Sequence, residues 1–331
     1  MSESNNQPVD GESTPDEGHA PSEGEMAVPN TESPPPAASE SVASAAASDT
    51  HDDEGFAELV EAAATAEAEQ QRPPMSESCR IIAVANQKGG VGKTTTTVNL
   101  GAALAELGYR VLIVDLDPQG NASTGLGLNP RNLEASMYDV LLHDVPIEDA
   151  IEAASVRNLF VAPANLDLAG AEIELVPAFS REMRLKNALA VVNDDYDMVL
   201  IDCPPSLGLL TVNAFAAATE VLVPIQCEYY ALEGLGQLLR NVELVQKNLN
   251  ADLNIRNIVL VMYDARTNLA AQVASEVRGH FGEKVCRSVI PRTVRLSEAP
   301  SFGQPITVFD SMSRGALAYR DLGKEIANES A

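Results

Sequence analysis

Short apolar runs alternate with longer amphipathic segments along the chain from Arg80 onward. Short runs bounded by polar residues are typical of buried strands, and apolar residues three and four positions apart predict helices. Strands are predicted over residues 80–86, 110–115, 158–162, 197–202, 220–225, 255–263 and 285–290. Helices are predicted over residues 95–107, 136–143, 147–154, 181–193, 207–218, 230–249, 268–281 and 314–328. This alternation predicts an α/β fold with a doubly wound, mostly parallel sheet and helices on both faces.

The chain before this alternating region has a different composition. Residues 1–74 contain 17 acidic residues and one basic residue, and they hold nine of the twenty prolines. A segment with few large apolar residues and much like charge buries too little surface to offset its chain entropy. The sequence therefore predicts a disordered acidic tail over residues 1–78 and one folded domain over residues 79–331.

The cysteines and the apolar segments bear on the compartment. The four cysteines lie far apart and form no C-x-x-C pair, so they indicate neither a disulfide framework nor a zinc site. The N-terminus lacks the basic and apolar regions of a signal peptide, and no apolar stretch approaches the length of a membrane span. These features predict a cytoplasmic protein.

A glycine-rich segment separates the first predicted strand from the first predicted helix. In such a strand–loop–helix unit, backbone N–H groups surround phosphates, a lysine adds positive charge and a Ser or Thr hydroxyl binds Mg²⁺. We expect Lys93 to contact the β- and γ-phosphates and Thr94 to bind Mg²⁺. The strict pattern G-x-x-x-x-G-K-[ST] fails at Gln87, where a glycine is expected. The residues predicted to surround the nucleotide are Lys88, Gly89, Gly90, Val91, Gly92, Lys93, Thr94 and Thr95.

Three aspartates stand at the ends of predicted strands. Because ligands of parallel sheets bind at the carboxyl ends of the strands, these carboxylates should lie near the glycine-rich loop. Asp117 is placed to orient an attacking water and to contribute to the Mg²⁺ site. Asp202 follows four apolar residues, which is the Walker B arrangement that holds Mg²⁺ directly or through water. For Asp115, support of the Mg²⁺ site and a structural role at the strand end are both open.

The segments KGGVGKTT, DLDPQGN and IDCPPS together resemble the deviant Walker A ATPases, a group of P-loop NTPases. They are most similar to the ParA/Soj branch of chromosome- and plasmid-partition ATPases. Three later segments carry the same resemblance. They are PIQCEYYALEG at 224–234, DARTNL at 264–269 and IPRTVRLSEAPS at 290–301. The resemblance extends over about residues 79–329 and does not include the acidic tail.

The resemblance implies a slow, partner-stimulated ATPase that uses ATP and Mg²⁺ and dimerises around the nucleotide. Lys88 matches the family's signature lysine, which crosses the dimer interface to the phosphates of the partner's nucleotide, like an arginine finger supplied in trans. Lys93 matches the phosphate-loop lysine and Thr94 the Mg²⁺-binding hydroxyl. Asp117 matches the aspartate that supports hydrolysis, and Asp202 matches the Walker B aspartate. Lys88, Lys93 and Asp117 are thereby implied to be catalytic.

Arg266 and Arg295 match arginines that, in the Soj branch, help the ATP-bound dimer to bind DNA without sequence preference. Residues 255–320 contain nine basic and five acidic residues, although the chain as a whole is acidic. A basic patch of this kind binds phosphates in a salt-sensitive way. Without the resemblance, solvated charges or local ion pairs would be the better interpretation. The resemblance further implies association with the nucleoid, a ParB-type centromere-binding partner and no membrane partner.

Three other protein classes fit the sequence less well. A MinD-like membrane-associated positioning ATPase needs a basic amphipathic C-terminal helix, whereas residues 317–329 have mixed charge and contain Gly323. An iron–sulfur reductase component similar to the nitrogenase iron protein needs cysteines at a subunit interface, and Cys203 and Cys227 do not match that family's pattern. An autorepressor with an N-terminal helix-turn-helix is disfavoured by the acidic tail.

Overall fold

The computed structural model describes residues 78–228 and 231–328, without the side chains of residues 231–234. The segment predicted to be a disordered tail lies outside the described residues, except for Ser78. None of the helices in the described part of the chain combines the length and apolar character that crossing a membrane requires.

Eight strands form a single sheet in the order β3-β4-β2-β5-β1-β6-β7-β8. The strands are β1 (Arg80–Val84), β2 (Val111–Asp115), β3 (Glu152–Ala153), β4 (Leu159–Ala162), β5 (Met198–Asp202), β6 (Glu220–Gln226), β7 (Asn254–Tyr263) and β8 (Val285–Pro291). All neighbouring strands are parallel except β3 and β4, which are antiparallel. The predicted, mostly parallel sheet is confirmed, and all seven predicted strands are present.

Eleven α-helices lie within the described residues. They are α1 (Lys93–Glu106), α2 (Asn121–Gly125), α3 (Met137–Leu142), α4 (Leu168–Glu174), α5 (Arg184–Leu189), α6 (Leu209–Ala217), α7 (Ala231–Asn248), α8 (Asn268–Phe281), α9 (Val294–Glu298), α10 (Ile306–Phe309) and α11 (Arg314–Asn328). The helix predicted over residues 147–154 is wrong. Residues Ile147–Ala150 form a 3₁₀ turn, and β3 follows, because pairing with the edge of β4 overrides a weak helical pattern.

Alternate residues of each strand face two separate cores, as period-two side-chain direction requires. On one face, Ile81 and Ala83 of β1 pack with helices α3 to α8. On the other, Ile82 and Val84 pack with α1 and α11. Gly323 does not interrupt α11. A Cβ atom there would lie 3.1 Å from the Cβ atom of Ala103, so the glycine lets α11 approach α1 closely.

The edge strand β8 is closed by a carboxylate from α11. The backbone N–H groups of Arg287 and Ser288 donate to the two oxygens of Glu325, at 2.6 and 2.9 Å. Burial favours a raised pKa for Glu325, but the hydrogen bonds from Ser288 and Arg287 outweigh it and lower the pKa. A carboxylate with a lowered folded pKa stabilises the fold above its unfolded pKa. That contribution is lost as the pH falls through the folded value.

Glu325→Gln is expected to lower the free energy of unfolding at pH 7 by about 1 kcal/mol, because one charge-assisted acceptor is lost. Partial exposure keeps the effect small. The difference from wild type should shrink as the pH falls below the ordinary Glu pKa of about 4.3, and it should vanish below the lowered folded pKa, where both side chains are neutral. Urea unfolding at several pH values measures this difference, with Glu243→Gln at an exposed position of α7 as control. Equal unfolding free energies at pH 7 would contradict the edge-closing role.

Candidate functional site

The loop between β1 and α1 is a cradle lined by backbone. Asn86 fixes its start, since its Nδ2 donates to the carbonyl of Pro224 at 2.8 Å and its Oδ1 accepts from the Lys88 N–H at 3.0 Å. Gly90 and Gly92 have φ values of 73° and 77°, in the left-handed region that glycine tolerates. Gly92 is the N-cap of α1 and provides no side-chain cap. The first N–H groups of a 14-residue helix therefore remain available for an anion.

Lys93 is buried beside carboxylates, with 7% of its surface exposed. Burial lowers the pKa of its ammonium group, while the charges of Asp202 and Asp117 act in the opposite direction. The hydroxyl of Thr97 lies 3.0 Å from the Lys93 carbonyl and 3.1 Å from Oδ1 of Asp202. The structure thus brings together three residues that the sequence predicted for one site: Lys93, Asp117 and Asp202.

Asp202 has the environment of a cation ligand. Burial raises its pKa, and repulsion from Asp115 adds to the shift, while hydrogen bonds from Thr94 and Thr97 oppose it. Its Oδ2 is buried and has no hydrogen-bond partner among the described residues. A buried carboxylate oxygen without a partner needs a compensating group, and Mg²⁺ prefers oxygen ligands of this kind. The residues present therefore fit Mg²⁺.

Asp115 lies on the neighbouring strand β2, in register with Asp202. Both of its carboxylate oxygens accept hydrogen bonds. It accepts from the Asp117 N–H at 3.1 Å and from the N–H and hydroxyl of Ser123 at 2.9 and 2.7 Å. Burial raises its pKa, and these hydrogen bonds act in the opposite direction. The contacts hold the loop from 116 to 123 over the end of β2. Of the two roles left open for Asp115, the geometry favours the structural one.

Asp117 lies in that loop with 9% of its surface exposed. Its Oδ1 accepts from the Gln119 N–H at 3.0 Å, and its carbonyl accepts from the Gly120 N–H at 2.8 Å. A Cβ atom at Gly120 would lie 3.2 Å from the carbonyl oxygen of Ala164, so the loop also packs on the end of β4. The Asp117 carboxylate is thereby fixed near Lys93, and its role in hydrolysis stays a prediction.

Lys88 forms an ion pair within its own subunit. Its Nζ lies 3.0 Å from Oε2 of Glu228, in the loop after β6, and 38% of the lysine side chain is exposed. Oε1 of Glu228 accepts from Nε2 of Gln226 at 2.6 Å. The sequence did not predict this pair, although Glu228 stands in one of the segments that carry the family resemblance. The contact holds Lys88 at the rim of the cradle.

A cavity of about 330 Å³ lies beside the cradle, and the sequence did not predict it. Its lining includes Thr95, Met262 near the end of β7, Arg292 after β8 and Tyr319 of α11. Met262 has a φ of 51°, an uncommon value for a residue other than glycine. The cavity could have been predicted from the carboxyl ends of β7 and β8, since ligands of parallel sheets bind at that edge.

The two predicted DNA-contacting arginines lie on the loop after β7 and on α9. The Arg266 side chain is 88% exposed, and it contacts both Asp264 oxygens, at 2.8 and 2.7 Å. Arg295 contacts Glu298 at 3.1 Å and Asp310 at 3.2 Å. Both arginines therefore make the local ion pairs that the composition alone favoured.

Two cysteines near the site do not fit an iron–sulfur cluster. Cys203 and Cys227 are buried. Burial strongly raises the pKa of the Cys203 thiol and raises that of Cys227 to about 11. Cluster ligands are thiolates, so the environment disfavours the iron–sulfur alternative.

Comparisons with known proteins agree with this site. The family described as "AAA domain" matches residues 79–255. The sporulation initiation inhibitor protein Soj of Bacillus subtilis is 61% identical over 248 residues, which are 75% of this chain and 98% of that protein. The chromosome partitioning protein ParA of Myxococcus xanthus is 53% identical over 247 residues, 75% of this chain and 87% of that one.

A solved structure extends the comparison to a bound nucleotide. It is described as cobyrinic acid a,c-diamide synthase from Mycobacterium smegmatis with bound ATP analogue and magnesium. It is 43% identical to this chain, with a TM-score of 0.67, and the match covers 76% of this chain and 95% of that chain.

The matched region contains the cradle, the Asp117 loop and Asp202, and these similarities confirm the predicted resemblance and the use of ATP and Mg²⁺. The chain belongs to the ParA/Soj family of P-loop ATPases.

Proposed function

We propose that this protein is a DNA-segregation ATPase. ATP brings two copies into a dimer, and the dimer binds the DNA of the nucleoid without sequence preference. A ParB-type centromere-binding partner stimulates ATP hydrolysis, and the dimer is then released from the DNA. The observation that carries the proposal is the 61% identity to a Soj protein over nearly its whole length.

The cradle residues 88–95 surround the phosphates in this proposal. Lys93 contacts the β- and γ-phosphates, Thr94 and Asp202 hold Mg²⁺ with support from Asp117, and Asp117 orients the attacking water. Mg²⁺, when bound, neutralises charge on the phosphate oxygens. The cavity beside Met262 and Tyr319 holds the base. Lys88 lies at the rim with 38% of its side chain exposed, so its ammonium group exchanges Glu228 for the nucleotide of a second subunit in the dimer.

Domain organisation and DNA contact are part of the same proposal. Residues 79–331 form the ATPase domain, and the acidic segment 1–78 is separate from it. Arg266 and Arg295 exchange their local carboxylates for DNA phosphates in the dimer. The MinD-like alternative has no support from α11, whose apolar residues Tyr319, Leu322 and Ile326 are buried in the core.

Co-sedimentation with long duplex DNA tests the proposal. Reactions with ATP, ADP and no nucleotide are compared at about 50 and 300 mM salt. We expect the protein to be retained on DNA only in the reaction with ATP. This retention should be lost at the higher salt concentration, because phosphate contacts release counterions. Retention without ATP, or none with it, would contradict the proposal. Co-sedimentation with vesicles instead would favour the MinD-like alternative.

Glu228→Gln is expected to strengthen ATP-dependent dimerisation by up to about fivefold. The substitution frees Lys88 from an exposed ion pair, and such pairs contribute about 0.2–1 kcal/mol. The dimer dissociation constant, measured by analytical ultracentrifugation with ATP, reports the change. Glu243→Gln removes an exposed carboxylate on α7 and should leave the constant at the wild-type value. An unchanged or weaker Glu228→Gln dimer would show that the pair does not restrain Lys88.

A further inference from the structure

An open groove runs along the outer edge of β8, beside α11. It has a volume of about 630 Å³, and its lining includes Ala265, Arg287, Arg314 and Asp321. Because β8 is the last strand of the sheet, no further strand covers this edge among the described residues. We call this site the β8 groove. Ala265 precedes Arg266, so the β8 groove adjoins the loop that carries the first proposed DNA-contacting arginine.

The β8 groove contains two guanidinium groups, those of Arg287 and Arg314. Arg287 and Arg314 are exposed, and within residues 78–228 and 231–328 neither guanidinium forms an ion pair. The acidic group of the lining, Asp321, lies 3.7 Å from Nζ of Lys324. Glu325 attracts Arg287 at longer range, but its oxygens already accept two backbone N–H groups.

This distinguishes Arg287 and Arg314 from the arginines that the family resemblance selects. Arg266 and Arg295 must give up ion pairs with Asp264, Glu298 and Asp310 before they bind a phosphate. A guanidinium without such a partner gains a charge-assisted contact and loses no ion pair. Arg314 is also the first residue of the 15-residue helix α11, where the helix dipole is positive.

Building on the proposed function, we infer that the β8 groove binds the phosphodiester backbone of DNA, with Arg287 and Arg314 as its phosphate-binding residues. DNA presents closely spaced charges along a continuous line, which matches an open groove that runs along a strand. Contacts with the phosphodiester backbone do not depend on the bases, in agreement with binding that lacks sequence preference. In a dimer the groove occurs twice.

The salt dependence of DNA binding tests this inference. The full-length chain with ATP is titrated against a fluorescent random-sequence duplex at several salt concentrations. Each phosphate contact contributes about 0.9 to the slope of log affinity against log salt. Since a dimer has two grooves, Arg287→Ala and Arg314→Ala should each lower the slope by about 1–2. Affinity at low salt should fall about three- to tenfold.

Matched variants separate a phosphate contact from a general loss of charge or of folding. Arg314→Lys keeps a point charge and should retain most of the slope. Lys247→Ala removes an exposed charge from α7, outside the groove lining, and should bind like wild type. ATP-dependent dimerisation is measured for every variant, and affinities are compared per dimer.

The two proposals fail in different ways. If wild type binds DNA with ATP and both alanine variants keep its slope and affinity, the β8 groove is not a DNA site and the proposed function stands. The same result for Lys247→Ala as for the groove variants would also overturn the inference. If wild type does not bind DNA with ATP, both proposals are overturned.

Discussion

Asp117→Ala is expected to lower ATP turnover at least about 100-fold while ATP binding and ATP-dependent dimerisation persist. Groups that position or activate a reacting water contribute about 10²–10⁴-fold to a rate. The loop that carries Asp117 is held by Asp115, which accepts from Ser123 and from the Asp117 backbone, so the cradle should survive the loss of one carboxylate. Phosphate release, nucleotide affinity and light scattering measure the three properties.

Two further variants make the Asp117 test sharper. Asp117→Asn keeps an oxygen that can accept from the Gln119 N–H, but it removes the charge, so turnover should stay low. Asp252→Ala removes an exposed aspartate distant in sequence from the loop and should behave like wild type. Turnover within a few fold of wild type in both Asp117 variants would show that this carboxylate does not act on the water.

The contrast between Asp115 and Asp117 shows what a sequence pattern can resolve. Both are acidic and they are two residues apart; Asp115 is the last residue of the buried strand β2, and Asp117 follows it. The two side chains differ in their hydrogen-bond partners. Ser123, eight residues beyond Asp115, donates two hydrogen bonds to the Asp115 carboxylate. The pattern locates the carboxyl edge of the sheet. It does not show which carboxylate holds the loop by hydrogen bonds and which one borders the cradle.

The sheet was predictable because its strands are apolar runs bounded by polar residues. The four helices that were not predicted, α2, α4, α9 and α10, have four to seven residues, which is too short to show a helical period. Their positions are set by tertiary contacts. Residues 147–154 illustrate the opposite error, because a weak period was present and the edge of β4 determined the structure.

Contacts between residues far apart in the chain have no local signal. Arg80 and Glu220 form a buried, two-contact ion pair at 2.9 and 2.7 Å, although they are 140 residues apart. Lys88 and Glu228 are also separated by 140 residues. The first pair joins β1 to β6, and the second places the signature lysine. Each segment alone predicts a charged residue near a strand, and the fold determines its partner.

Lys88→Ala is expected to weaken ATP-dependent dimerisation at least about 100-fold, and DNA retention should fall with it. Removing one partner of a buried interfacial charge pair costs about 2–5 kcal/mol, and a dimer contains two such positions. ATP binding to the single subunit should change little, because Lys93 and the glycine backbone form the cradle. Analytical ultracentrifugation with ATP measures the dimer, and nucleotide titration measures the subunit. Lys186→Ala, at an exposed position of α5, is the control and should dimerise like wild type. A Lys88→Ala dimer of wild-type affinity would exclude a role for this lysine in the partner's site.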